Sequence, residues 1–257
     1  MKPEVADREL ARAIMAYVRT VSSPGSDLIR CGPFHAVLAL GNAGPNFSYA
    51  IPDDDAEPTA EDLNALVALF ESRGRTPRVE HVSAAAPALS GLLEAGGFRR
   101  EHEFPLMSCT PESLVHLALP PGLDLTRPGT DAELLAMAQM QHRAFGEPFP
   151  AGPADVARHR GGLVSGAILL TVLDRDRTVL GAGVAAPAHA GTREIVGVAV
   201  EEPVRRRGIA GAVVAALAGQ AFDEGCDSVF LEAAPGADGA YRRAGFAVTT
   251  SVVHHRR

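Results

Sequence analysis

The sequence predicts an α/β (α+β) fold organised as two related halves, and three observations lead to this prediction. Helix-like and strand-like patterns alternate along the chain, one order of segments occurs twice, and the composition is that of an ordinary globular protein. The chain has 257 residues, of which 46% are hydrophobic and 21% charged. At about 150 residues per domain, this length corresponds to roughly 1.7 domains, which fits one large or two modest domains.

The first half begins with a predicted helix, because Leu10, Ile14 and Val18 recur at every fourth position between polar residues. Runs of β-branched and apolar residues then alternate with helical spacing and with turn-forming Gly and Pro. The further predicted elements are strands 34–40 and 47–51 around a turn at 41–45, helix 63–70, strand 79–82, helix 89–93 and strand 103–109.

The Pro- and Gly-rich segments at 120–122 and 128–129 interrupt this pattern. They predict a boundary between an N-terminal half, residues 1–120, and a C-terminal domain, residues 123–257. The second half is predicted to contain helices 134–144 and 154–160, a hairpin of strands 168–173 and 178–186, strand 194–200, helix 208–222, strand 229–233, helix 239–244 and strand 246–254.

An internal repeat relates the two halves. The segments that end at Phe98 and Phe246 share the order strand, loop, short helix, Gly-Phe, strand. Val79 and Phe98 are 19 residues apart, and Val229 and Phe246 are 17 residues apart. This agreement predicts a duplication, although units of helix, Gly and strand also recur in unrelated α/β chains.

Charge and composition exclude several classes of protein. With 31 acidic and 24 basic residues, the net charge is -7, which argues against general attraction to nucleic acid or anionic membranes. The sequence has neither a long apolar span nor the apolar core of a signal peptide, so it predicts a soluble, cytoplasmic protein. Three cysteines without CxxC spacing and nine histidines without HExxH spacing give no indication of a disulfide framework or a metal site.

The strongest chemical signal lies where a β-branched strand ending at Val200 leads through a basic loop into an apolar helix. The first turn of a helix carries free N–H groups and a partial positive charge, both of which favour a phosphate. Small residues at the helix start allow a close approach of the ligand, and the arginines add permanent charge. The sequence therefore predicts an anion-binding loop, whereas the alternative is a solvated basic patch.

The pattern R-x-x-G-x-A of Arg205, Gly208 and Ala210 resembles the acetyl-CoA motif of the GNAT superfamily of N-acetyltransferases. Tyr241 followed by Gly245-Phe246 is similar to the closing signature of that superfamily, and the resemblance covers about residues 123–257. It implies a mixed, mostly antiparallel sheet flanked by helices, with acetyl-CoA as cofactor. The implied cofactor-binding residues are Val198, Ala199 and Val200 beside the pantetheine arm, and Arg205, Arg206, Arg207, Gly208, Ile209, Ala210 and Gly211 around the pyrophosphate.

The resemblance also implies catalytic roles. Tyr241 matches the general acid, and a phenol of pKa about 10 is protonated at neutral pH and able to protonate a thiolate. Its alternative is a tyrosine that only packs against the last strand. Glu194, six residues before Val200, resembles the general base of histone-type members, although it could be a charge at an exposed strand start. Glu232, His189 and Glu147 are further candidates for the base.

The loop between the first two helices of the second half corresponds to one that lines the acceptor pocket in the family. Phe145, Glu147 and Phe149 are therefore candidate substrate contacts, whereas the alternative is a turn with two core phenylalanines. The expected reaction is acetyl transfer to a primary amine of a small molecule or peptide by direct attack. A non-catalytic acyl-CoA sensor or interaction module is the alternative function.

The first half is predicted to be a degenerate copy. Its counterpart of Tyr241 is Leu93, which has no proton to donate. The acidic run Asp53-Asp54-Asp55 stands where the second half has three arginines, so it would repel phosphate. Only the second half is therefore expected to bind acetyl-CoA.

Overall fold

The computed structural model describes residues 3–21, 26–39 and 48–257. Within these residues the chain forms seven α-helices and eleven β-strands, and no helix of this part is long and apolar enough to cross a membrane. The elements are α1 (Pro3–Thr20), β1 (Ser26–Cys31), β2 (Phe34–Ala39), β3 (Tyr49–Pro52), α2 (Ala60–Ser72), β4 (Arg78–Val82), α3 (Leu89–Ala95), β5 (Arg99–Cys109), β6 (Asp124–Thr126), α4 (Asp131–Phe145), α5 (Pro153–Val164), β7 (Ile168–Leu173), β8 (Val179–Ala185), β9 (Thr192–Val200), α6 (Ile209–Asp223), β10 (Ser228–Glu232), α7 (Asp238–Arg243) and β11 (Ala247–Arg256).

The chain divides into two compact units. The first contains Met1–Leu106 and Val248–Arg257, and the second contains Met107–Ala247. These bounds differ from the predicted division into 1–120 and 123–257 because β11 pairs antiparallel with β4 of the first unit, over five residue pairs. The segment after β5 belongs to the second unit, where the Val115 amide donates to the Ala244 carbonyl at 3.1 Å.

In the first unit the strand order is β1-β2-β3-β4-β11-β5. β3 and β4 are parallel, whereas the β1–β2, β2–β3 and β4–β11 pairs are antiparallel. The apolar stripe of α2 is buried as its helical spacing predicts, with Leu63, Leu66 and Phe70 at most 4% exposed. These side chains share one core with Phe98 and the buried leucines of α3.

In the second unit the strand order is β10-β9-β8-β7-β6, and every pair is antiparallel except β9–β10. The helix α6 is almost entirely apolar, and it packs in one core with Ile168, Leu170 and Val172 of β7. The opposite face of the same strands packs against Leu134, Met137 and Met140 of α4. The predicted mixed, mostly antiparallel sheet flanked by helices is confirmed.

Most predicted elements are present within a few residues of their predicted bounds, including the β7–β8 hairpin. In its turn, the Asp174 carboxylate accepts hydrogen bonds from the amides of Asp176 and Thr178. Two strands were missed. β1 has no fully buried residue, and β6 has only three residues, so neither carries a clear apolar pattern. The turn predicted at 41–45 lies outside the described residues.

The internal repeat has the same local hydrogen bonding in both halves. After α3, the Phe98 amide donates to the Leu93 carbonyl at 3.0 Å, and after α7 the Phe246 amide donates to the Tyr241 carbonyl at 3.1 Å. The glycine before each phenylalanine is left-handed, with φ of 88° and 94° respectively. The match between Leu93 and Tyr241 therefore holds in the backbone as well as in the sequence.

Candidate active site

The neighbouring strands β9 and β10 diverge within the second unit. Their parallel register extends only from Thr192 opposite Ser228 to Glu194 opposite Phe230. β9 continues for six more residues to Val200, about 20 Å at the usual rise per residue. Beyond this register the second half of β9 is not paired with β10, so an extended ligand could pair with the strand backbone there.

A β-bulge lies in the diverging part of β9. Val196 faces Val184 and Ala199 faces Ala182, so β9 has one more residue than β8 between these pairs. Gly197 lies in the bulge with φ of +62°, a conformation that glycine adopts without strain. The buried Gln141 of α4 donates its side-chain N–H to the Gly197 carbonyl at 2.8 Å, so α4 fixes the bulge.

The bulge changes which face each β9 side chain occupies. Simple alternation would place Glu194, Val196, Val198 and Val200 together. Instead, Val198 and Val200 pack with the α6 core, as does Ile195, so the adjacent Glu194 lies on the opposite face, towards α4. The candidate base and the strand residues beside the proposed cofactor therefore belong to different faces of the sheet.

The basic loop is fixed to both β9 and α4. The Arg205 guanidinium donates to the Val200 carbonyl at 3.0 Å and to the Ala144 carbonyl at 2.9 Å. Arg143 donates twice to the Glu201 carboxylate, at 2.9 Å and 2.6 Å. Although Arg205 begins the motif, its charged group is used to position the loop. The exposed Arg206 and Arg207 form no ion pair with any described residue, so they remain available to an anion.

The loop ends at a helix start suited to an anion. Arg206 and Gly208 are both left-handed, with φ of +62° and +90°. Gly208 is the N-cap of α6; the first turn of α6 contains no acidic residue, and no described side chain caps it. The first N–H groups of α6 thus have no side-chain acceptor among the described residues. A Cβ built at Gly208 would meet no described atom within 4 Å, so this side of the loop is open.

Gly211 lies against two other segments of the second unit. A Cβ at this position would lie 3.1 Å from Leu117 and 3.2 Å from the Ala240 carbonyl. The small residue therefore allows α7 and the segment after β5 to pack against α6. This packing places α7, which carries Tyr241, beside the first turns of α6.

The corresponding helix start in the first unit is closed. Thr59 and Asp62 form a capping box on α2, in which the side chain of each residue accepts a hydrogen bond from the backbone N–H of the other. The preceding carboxylates are paired with arginines, Asp53 with Arg30 and Asp55 with Arg8 and Arg12. The hydrogen bond from Arg30 is the largest influence lowering the pKa of Asp53. This acidic turn is therefore an ion-paired cluster.

Tyr241 is buried in the core of the second unit, at 6% exposure. Burial raises the pKa of its phenol above the ordinary value of 10, since the charged phenolate is disfavoured in apolar surroundings. The side chain therefore keeps its proton at neutral pH, which a general acid requires. The observation that the alternative role requires, packing of the ring, is also present, because the ring contributes to the core.

The candidate bases lie in three different settings. Glu194 is half-buried in the third position of β9, so it is not a charge at an exposed strand start. Glu232 is exposed at the end of β10, on the far side of the divergence. His189 lies in the tight turn before β9, where its backbone exchanges two hydrogen bonds with Thr192, so it is remote from the loop end of the strand.

The α4–α5 loop presents its aromatic residues to solvent. Phe145 is 56% exposed and Phe149 is 48% exposed, which contradicts the alternative of two core phenylalanines. Phe145 directly follows Ala144, whose carbonyl binds Arg205, so the aromatic loop begins beside the basic loop. Glu147 is exposed as well, and its amide donates to the His142 carbonyl at 2.9 Å.

Sequence reasoning missed the polar residues at the end of α4. Gln141, His142 and Arg143 follow an apolar stripe and together contact the bulge, the α4–α5 loop and Glu201. A consecutive polar run in the last turn of an amphipathic helix was the available signal.

A cavity of about 500 Å³ between α4 and α5 lies at the other end of α4, against Asp131 and Leu135, and is not part of this site.

The second unit thus combines a strand pair whose register ends early, a β-bulge, and an uncapped helix that follows a basic loop. Residues 134–246 match the model of the acetyltransferase (GNAT) family, so the second unit carries a GNAT domain, a class that transfers acyl groups.

Among solved structures, the chain is similar to a GCN5-related N-acetyltransferase from Kribbella flavida, with 21% identity, 96% of this chain and 95% of that chain covered, and a TM-score of 0.78. A GCN5-related N-acetyltransferase from Sphaerobacter thermophilus matches with 23% identity, 82% and 71% coverage and a TM-score of 0.59. A tandem GNAT protein from the clavulanic acid biosynthesis pathway matches with 12% identity, 96% and 87% coverage and a TM-score of 0.66. None of the curated proteins matches the sequence significantly.

Proposed function

We propose that the second unit transfers an acetyl group from acetyl-CoA to a primary amine of a small molecule or peptide by direct attack. The observation that carries the proposal is the end of the β9–β10 pairing after Glu194, because the unpaired part of β9 continues towards the loop before the uncapped start of α6. One continuous surface thus offers strand amides to an extended arm and helix amides to a pyrophosphate.

The residues present fit acetyl-CoA. The amides of Ile209, Ala210 and Gly211 would hold the pyrophosphate, with Arg206 and Arg207 supplying charge. Along β9, the backbone of Val198, Ala199 and Val200 would pair with the pantetheine arm, and a strand amide there would polarise the thioester carbonyl. When bound, acetyl-CoA supplies an activated acyl group as its thioester.

The acceptor amine must lose a proton before it attacks, since an alkylamine has a pKa of about 10.4. Glu194 is the proposed acceptor of this proton, directly or through a water molecule, because it is half-buried and lies on the α4 face near the end of the β9–β10 pairing. Glu232 and Glu147 remain alternatives. Phe145 and Phe149 would form the apolar wall of the acceptor pocket.

Tyr241 is the proposed general acid. As the new C–N bond forms and the C–S bond breaks, the phenol would give its proton to the departing thiolate. The raised pKa keeps this proton on Tyr241 at neutral pH. No other tyrosine lies in the second unit, since the remaining two are Tyr17 and Tyr49.

The test is release of free CoA thiol from acetyl-CoA in the presence of amino acids, polyamines, aminoglycosides or peptide N-termini. With an accepted amine, Tyr241→Phe is expected to slow turnover at least about tenfold while acetyl-CoA affinity changes little, because only the acid is lost. Tyr49→Phe in the first unit is the matched control and should leave turnover unchanged.

Two results would contradict parts of the proposal. Normal turnover in Tyr241→Phe would remove the acid assignment. Normal acetyl-CoA affinity in Gly208→Glu, which places a carboxylate at the start of α6, would remove the pyrophosphate site. Thermal stabilisation by acetyl-CoA without thiol release over the whole amine panel would instead support the non-catalytic sensor.

We also propose that the first unit is a degenerate copy that binds no acetyl-CoA. The capping box of Thr59 and Asp62 already occupies the helix start that corresponds to α6, and the buried Leu93 stands in the position of Tyr241. Acetyl-CoA should therefore bind with a stoichiometry of one per chain in calorimetry, and Gly208→Glu should abolish that single event.

A further inference from the structure

His142, in the last turn of α4, contacts an acceptor with each of its two ring nitrogens. Nδ1 lies 3.1 Å from the Phe149 carbonyl of the α4–α5 loop, and Nε2 lies 3.3 Å from a carboxylate oxygen of Asp155 in α5. The rings of His142 and Phe149 also meet edge to face, with centroids 5.7 Å apart. Carbonyl and carboxylate oxygens accept hydrogen bonds but donate none when the carboxylate is ionised.

Asp155 lies in the first turn of α5, and its surroundings favour the ionised carboxylate. Burial alone would raise the pKa of this carboxyl, but hydrogen bonds from the Gly152 amide at 2.9 Å and from Arg158 at 2.7 Å outweigh that effect, and the pKa is lowered. Asp155 therefore accepts at neutral pH, and its partner nitrogen on His142 must donate.

A neutral imidazole has one N–H and can satisfy only one of these acceptors, whereas an imidazolium satisfies both. The other groups facing this histidine keep their charge between pH 5 and 8. Arg158 is always protonated. Burial, followed by the charge of Arg158, lowers the pKa of His159 to about 4, so this side chain stays neutral. Glu147, in the adjoining loop, is exposed.

We propose that His142 is a positioning residue that fixes Phe149 of the acceptor loop when its ring is doubly protonated and releases it when neutral. The proposal rests on the acceptor-pocket role of Phe149 in the proposed function. It gives this chain a loop whose order depends on pH and whose aromatic wall is set by a residue that does not itself touch the reacting atoms.

The chain contains no tryptophan, so Phe149→Trp introduces a single fluorophore at the loop. Emission of the introduced indole is expected to change in one step when the pH is varied, because the contact with the imidazole ring changes with the protonation of that ring. In this background His142→Asn and His142→Gln should both abolish the step, since neither amide titrates. The same step in either variant, or no step with His142 in place, would overturn the proposal.

A second measurement uses the unaltered chain. Nitrogen-resolved NMR of the histidine ring, identified by its loss in His142→Asn, should show N–H protons on both ring nitrogens at pH 5.5 and on one at pH 8. A single ring N–H at pH 5.5 would contradict the double hydrogen bond. Neither measurement requires turnover, so their failure is distinguishable from failure of the proposed acetyl transfer.

A matched pair of amide substitutions separates positioning from simple stability. The shorter amide of His142→Asn can replace Nδ1 towards Phe149, whereas the longer amide of His142→Gln can replace Nε2 towards Asp155. At one fixed pH, His142→Gln should raise the acceptor KM roughly 2- to 10-fold, the cost of one lost hydrogen bond, with little change in kcat. His142→Asn should restore the KM. An equal KM effect in both variants would indicate a merely structural role.

Discussion

At the scale of single residues, the side chain of Arg205 is hydrogen-bonded within the protein. Its guanidinium donates to the carbonyls of Val200 and Ala144, which join the end of β9 to the end of α4. Arg206 and Arg207 are exposed and form no ion pair among the residues that the structure covers. The three adjacent arginines therefore lie in two different settings.

This difference predicts different consequences of neutralisation. Arg205→Gln should lower the free energy of unfolding by about 1 kcal/mol, because two hydrogen bonds are lost at an exposed site, and should also weaken acetyl-CoA binding. Arg206→Gln and Arg207→Gln should leave the unfolding free energy unchanged and weaken acetyl-CoA binding in a salt-dependent way. Urea unfolding and calorimetric titration at two salt concentrations measure both effects.

If Arg206→Gln and Arg207→Gln destabilised the fold as much as Arg205→Gln, the loop-positioning role of Arg205 would be wrong. An unchanged affinity in the Arg206 and Arg207 variants would show that the exposed guanidinium groups do not reach the cofactor.

At the scale of elements, the segment after β5 is held against the turn between α7 and β11. Val115 donates its amide to the Ala244 carbonyl, and a Cβ at Gly245 would lie 1.9 Å from the Ser113 carbonyl oxygen. Gly245 has φ of +94°, so both its conformation and its surroundings require glycine. This contact ties the connecting segment to the helix that carries Tyr241.

Gly225, at the end of α6, provides a matched comparison, since its φ is +89° but a Cβ there would meet no described atom within 4 Å. Gly225→Ala should cost about 1 kcal/mol from backbone strain alone. Gly245→Ala should lower the free energy of unfolding further, by about 2 kcal/mol or above in total, because the Ser113 backbone must move as well. Chemical denaturation of the two variants measures the difference.

Equal destabilisation in Gly225→Ala and Gly245→Ala would mean that the segment after β5 can move without lowering the free energy of unfolding. In that case the close packing around Ser113 would not contribute to the stability of the second unit.

At the scale of the whole molecule, each unit buries a histidine in its neutral form. Burial, with the nearby His255 as the next influence, lowers the pKa of His81 from 6.5 to about 4 in the first unit. In the second unit, burial and the charge of Arg158 lower the pKa of His159 to about 4. The folded state therefore binds these protons less readily than the unfolded chain.

Because both folded pKa values lie below the unfolded value of 6.5, the stabilisation is complete above pH 6.5 and is lost as the pH falls towards 4. Each buried histidine should account for a loss on the order of 3 kcal/mol across this range. Urea unfolding between pH 7.5 and 4.5 should show falling stability, and His81→Gln should flatten the curve because glutamine does not titrate.

The exposed His116 provides the control, since His116→Gln should leave the pH dependence as it is in the parent chain. A parent chain with constant stability from pH 7.5 to 4.5, or an unaltered curve in His81→Gln, would show that the burial of His81 does not cause the loss of stability at low pH.

The sequence by itself determined the order of helices and strands, the loop of arginines before α6 and the repeat that matches Leu93 to Tyr241. These features are local, because helical spacing, strand alternation and turn residues act over a few neighbours. The apolar pattern was too weak to predict a strand only where the strand was very short or half-exposed, as in β6 and β1.

The tertiary structure alone decided how these pieces function together. The bulge at Gly197 separates Glu194 from Val198 on opposite faces, which a regular alternation could not reveal. The use of Arg205 as a loop anchor, the packing role of Gly211 and the double contact of His142 all depend on contacts with other elements or loops. Such contacts arise from the register of strands and the packing of helices, which no short stretch of sequence specifies.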